Sequence, residues 1–177
     1  MKKLATLAAL FIAAPLAAHA ADAGLRIGVG ADVAYHDAAG THFISDNWPL
    51  AGDLMLSYWL PAEIVSLDAE ISEQFLLNAP AGANSRIGTV FRPGIRVSPP
   101  VIPFYVRGAI PINIESPSGT NRETFDLRLG AGFNIPLVAF KVYLEADADF
   151  PLGGGTNAPS AFSNWQFWLN GGLDFRF

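Results

Sequence analysis

The 177-residue chain carries sixteen acidic residues against eleven lysines and arginines and has no cysteine, which excludes disulfides, thiolate nucleophiles and cysteine metal sites. No basic stripe stands clear of neighbouring acids, so no nucleic-acid partner is expected.

Taken in chain order, the first segment is MKKLATLAALFIAAPLAAHA. Lys2 and Lys3 precede an apolar run from Leu4 to Leu16 and the small-x-small ending Ala18-His19-Ala20, the pattern of a cleaved secretory signal peptide over 1–20. The remaining domain, 21–177, has single-domain size, and with Lys2 and Lys3 removed its formal charge is nine cations against sixteen anions. After residue 20 no apolar run has the length of a spanning helix, so a membrane location would require strands.

Alternation of apolar and polar residues then recurs to the end of the chain. It predicts strands over 24–35, 50–60, 64–76, 86–98, 101–112, 123–135, 139–150 and 164–177. In KVYLEADADF, residues 141–150, Lys141, Tyr143, Glu145, Asp147 and Asp149 share one face, opposite Val142, Leu144, Ala146, Ala148 and Phe150. Long polar loops (36–49, 77–85, 113–122, 151–163) follow the odd strands and short turns (61–63, 98–100, 136–139) follow the even ones. Such a rhythm predicts an all-β, eight-stranded antiparallel up-and-down barrel with its long loops at one end.

Period two alone fits a soluble barrel as well as an inverted one. Three features select the inverted, transmembrane arrangement. The polar face combines charges with Gly28, Gly30, Gly88, Gly94, Gly130, Gly132 and Gly172; the apolar face is nearly free of charge, with Glu73 its clearest exception; and aromatics gather near strand ends. Tyr35, Trp48, Phe75, Phe150 and Trp165 lie toward the long loops, and Tyr58, Phe104, Phe133, Phe140, Phe175 and Phe177 toward the short turns, as in bilayer girdles. Pro93, Pro103 and Pro111 fit poorly, since each lacks a ladder donor.

With the leader, the eight segments, the loop rhythm and the final strand WQFWLNGGLDFRF, the chain resembles the small eight-stranded outer-membrane β-barrels of Gram-negative bacteria, of the OmpA/OmpX type. The resemblance implies a cell-envelope protein that reaches the outer membrane through the periplasm. It also implies contact with outer-membrane lipid and lipopolysaccharide, a monomeric state, and Leu173, Phe175 and Phe177 as the signal read by the assembly machinery. It names an architecture and no single activity.

Strand parity places eight cations (Arg26, Arg86, Arg92, Arg96, Arg107, Arg128, Lys141, Arg176) and nine anions (Asp32, Asp53, Asp68, Glu70, Asp126, Glu145, Asp147, Asp149, Asp174) on the inner face. In so narrow a lumen these groups are expected to pair and to fill the interior together with Met55, Trp59, Tyr105 and Trp168. The expected role is therefore structural, or surface interaction through loops holding Trp48, Asn78, Asn84, Asn121, Asn157 and Phe162. A narrow, porin-like pore or apolar-solute channel is the alternative. A divalent-cation site at Asp147 and Asp149 is weaker than simple pairing with arginine. His36, Asp37, His42, Ser45 and Asp46 share one loop and supply hydrolase or acyltransferase residue types, which leaves a lipid-modifying enzyme as a third and lesser reading. The 153–155 glycines lack a Walker lysine. No cofactor and no catalytic role are expected.

Overall fold

The computed structural model describes residues 23–46, 48–115, 125–153 and 164–177. The leader and the loop residues Asn121, Asn157 and Phe162 lie outside them. The strands are β1 (Ala23–Asp37), β2 (Gly40–Phe43), β3 (Pro49–Trp59), β4 (Val65–Leu76), β5 (Arg86–Val97), β6 (Phe104–Ala109), β7 (Ile112–Glu115), β8 (Phe125–Pro136), β9 (Lys141–Gly153) and β10 (Trp165–Arg176). Every pairing is antiparallel between neighbours, and β10 pairs with β1 to close the sheet. Two of the ten are not separate staves: β2 folds back on the end of β1 as a hairpin, and β6 and β7 are one strand broken at 110–111, leaving an eight-stranded closed barrel. At the seam Ala23 and Phe177 exchange backbone hydrogen bonds of 3.0 and 3.3 Å, beyond the ladder that pairs Gly24 with Arg176.

The prolines are accommodated at a strand start and at one shared break in the ladder. Pro103 precedes β6 and uses only its carbonyl, which accepts from the Asn134 N–H at 2.8 Å. Pro93 pairs with Ala69 on one side, while its carbonyl accepts from Ile110 at 2.9 Å on the other. The bond missing for want of a Pro93 N–H therefore falls opposite Ile110, next to Pro111, where the β6–β7 strand is already interrupted. Two absent donors thus share one gap in the ladder.

The core is inside out. Arg26 and Arg92 are 2% and 1% exposed, whereas Val29 and Val106 are 69% and 56% exposed. Closing eight strands leaves an interior only wide enough for side chains, and here the polar set fills it. Exposed aromatics stand near both ends, with Tyr35, Phe43, Trp48 and Phe75 toward the long loops and Phe104 and Phe177 toward the short turns. Phe104–Phe133 and Phe140–Phe175 form tilted ring pairs at the short-turn end.

Two expectations are corrected. The 36–49 segment is not all loop, because Ala34–Asp37 pairs with Gly40–Phe43 around a tight turn in which Gly40 takes φ 123°, a left-handed value open to glycine. Arg86 does not enter the lumen. Gln74 pairs with Gly88 but Phe75 pairs with Arg86, so Ile87 is an extra residue that inverts parity at the start of β5. Arg86 consequently lies on the outer face beside Glu73, the exception noted above, and the two share a small polar cluster with Thr89 and Glu115.

Candidate functional site

From the short-turn end upward, the lumen is a stack of ion-paired layers. Trp59 plugs the lower mouth between two guanidiniums, Arg96 at 4.9 Å and Arg176 at 5.0 Å from its ring. Arg176 was expected in the inner network but is exposed at this mouth, because it is the last residue of β10; it reaches Glu63 in the turn after β3 at 3.1 Å. Lys141, the first residue of β9, stands half-buried at the same end, opposite Asp174 in the ladder.

Above Trp59, Arg96 donates to Ser57, Ser66 and Asp174 at 3.0, 3.2 and 3.2 Å, with Asp68 at 3.6 Å. Arg26 is the hub of the next layer. It donates to Asp174 (2.8 Å), Tyr105 (3.0 Å), Asn134 (3.2 Å) and Glu145 (3.3 Å), and its guanidinium lies 4.4 Å from the Tyr143 ring centre. At mid-height Arg107 bridges Glu70 and Glu145, while Arg92 meets Glu70 and Asp53. The void left among Arg26, Glu70, Arg107, Arg128, Tyr143 and Glu145 is about 10 Å³. That is near the lower limit for a single water.

Toward the long loops Arg128 grips Asp149 in a two-pronged pair, both bonds 2.6 Å, and lies 3.9 Å from Asp147, which accepts from Asn170. Both oxygens of Asp149 are thus engaged, and among the described residues no group of three or more His, Asp or Glu is arranged to hold a metal ion. Above this layer the lumen opens into a vestibule of about 330 Å³ lined by Asp32, Asp126, Asp149, Trp168, Gln74, Gln166 and others.

The inner charges do not balance as parity suggested. With Arg86 outside and Lys141 and Arg176 at the lower mouth, five inward guanidiniums (Arg26, Arg92, Arg96, Arg107, Arg128) face nine carboxylates (Asp32, Asp53, Asp68, Glu70, Asp126, Glu145, Asp147, Asp149, Asp174) among the described residues. In the upper part, among the described residues, Asp32, Asp126 and Asp149 share the wall with Arg92, and Arg128 is ion-paired with Asp147 and Asp149. Met55, Trp59, Tyr105 and Trp168 are all buried in the interior.

In the first long loop the residue types of a hydrolase do not converge on a nucleophile. His42 lies 3.2 Å from Asp37 and stacks on Tyr35, and His36 Nδ1 lies 2.9 Å from the Thr41 hydroxyl, but the Ser45 hydroxyl donates to Asp46. Backbone donation from Ala39, together with the His42 ring, holds the Asp37 carboxyl below the usual carboxylate range.

Fold and interior together define a class: closed eight-stranded antiparallel β-barrels with an apolar exterior and an ion-paired, obstructed lumen. No protein-family model, curated protein or solved structure gives a significant match to the chain.

Proposed function

We propose that this protein is an integral outer-membrane β-barrel of Gram-negative type, exported through the periplasm, whose filled lumen is structural and whose specific contacts are made by its long loops. One observation carries this reading: the exposed surface between the ends is apolar while the charges are paired inside, the reverse of a water-soluble barrel. Closure of β10 on β1 supports it, since a hydrocarbon environment requires backbone groups to be satisfied internally. Strands of 11 to 15 residues, counting β6–β7 as one, meet or exceed the roughly 9–11 needed to cross a bilayer at a tilt. The mid-height void favours a plug over the alternative pore. Exposed Trp48, Asn78 and Asn84 at the long-loop end suit contact with lipopolysaccharide or another surface partner. The Ser45–Asp46 contact offers no support for a lipid-modifying enzyme.

The test is refolding of the 21–177 chain from urea into phospholipid vesicles. A protease-protected barrel that runs faster on a gel before boiling than after is expected; quantitative recovery as a soluble monomer without lipid would refute the reading.

A further inference from the structure

The upper lumen holds a cavity walled by an incompletely partnered carboxylate. Asp32 is 1% exposed and lines the vestibule; its carboxylate accepts a backbone hydrogen bond from Ala34, but its Oδ1 has no partner among the described residues. Trp168, its ladder partner on the same wall and 2% exposed, has an indole N–H that is likewise unpartnered among the described residues. Leaving such groups unmet is costly, more so for a charge, and their retention side by side points to a ligand. Asp126 and Asp149 line the same space. Among the described residues the neighbouring cations are already committed, Arg128 to Asp149 and Arg92 to Glu70 and Asp53.

We infer that the vestibule is a binding site for a small organic ammonium ion, its cationic head against Asp32 and its body against Trp168. A buried carboxylate with an unpartnered oxygen selects a cation. The lack of a three-ligand metal arrangement among the described residues, and walls that include Pro49, Val90 and the Trp168 ring, select an organic cation over a bare metal ion. A volume of about 330 Å³ lies at the small end of ligand cavities, which run from roughly 300 to 1,000 Å³. An indole ring offers a cation–π face, and its free N–H suits a hydroxyl or carbonyl oxygen on the ligand. The site depends on the closed barrel alone, so its failure would leave the outer-membrane proposal standing, and the reverse also holds.

The experiment is calorimetric titration of the detergent-solubilised barrel with tyramine, with 4-ethylphenol as the uncharged counterpart. Saturable tyramine binding is expected, with none for 4-ethylphenol, and Asp32→Asn weakens it roughly tenfold or more. Should Asp32→Asn fail to fold, Asp126→Asn is the second variant, and a rise in the melting temperature of the unsubstituted protein with tyramine but not 4-ethylphenol reads the same site. Equal binding of both compounds, no saturable binding, or displacement of tyramine by stoichiometric magnesium would overturn the inference.

Discussion

Arg26 shows how one residue organises a low-dielectric interior. Its guanidinium uses a planar fork of donors to reach two carboxylates, a phenol and an amide from four other strands, which no lysine could reproduce. Removing it takes one of two arginine partners from each of Asp174 and Glu145, which keep Arg96 and Arg107, in a closely packed interior. Arg26→Met should therefore lower stability by about 3–5 kcal/mol, read from urea unfolding in vesicles, whereas Arg176→Met, which breaks an exposed pair, should change it by less than about 1 kcal/mol. At the hairpin tip the linkage has the opposite exposure. Asp37 has a depressed carboxyl pKa, so its contacts contribute stability above the unfolded value and lose it as the pH falls through the folded one. Carbon-detected NMR should show Asp37 titrating below the roughly 3.9 of a free aspartate, with the Ala39 amide shift following it.

Among the elements, the seam between β1 and β10 is set by close approach of backbones. A Cβ on Gly172 would collide with the Ile27 carbonyl and come within 2.6 Å of the Gly28 Cα, both main-chain atoms that cannot step aside. Gly52, on β3, has nothing within 4 Å of such a carbon. Gly172→Ala should cost about 1–3 kcal/mol and reduce the fast-migrating folded band, while Gly52→Ala should leave it nearly unchanged. The start of β5 carries a different lesson. Ile87 is one residue more than the ladder needs, and it moves Arg86 from the inner face to the outer, to Glu73. Glu73 was visible in the sequence as an exception on the apolar face; the partner that explains it was not, because nothing local marks which residue of a strand will bulge.

At the scale of the whole molecule, layers of paired charge fill the described lumen from the Trp59 mouth to Arg128, with a void of about 10 Å³ at mid-height. Planar-bilayer recordings of verified inserted protein should show no discrete steps; reproducible currents would contradict the plug. If Leu173, Phe175 and Phe177 are the assembly signal, deletion of Phe177 should slow insertion in cells severalfold, measured by pulse-chase protease protection, beyond the loss of the two seam bonds it makes with Ala23.

What the sequence determined by itself was the alternation, and through it the strand number, the antiparallel order, the crowding of Arg92, Glu70, Glu145 and Asp147 onto one face, and the bulk of Trp59 and Trp168 behind them. These follow from a period of two, a local property of an extended chain. Only the tertiary structure decided which charge meets which. Arg26 finds Asp174 and Glu145 at sequence separations of 148 and 119, a matter of barrel radius and register. It also decided that Arg86 leaves the lumen, that Pro93 and Pro111 share one gap, and that Asp32 is set beside Trp168 across the β1–β10 seam. Each of these depends on where a closed sheet aligns residues far apart in the chain, and a single inserted residue is enough to reverse the assignment.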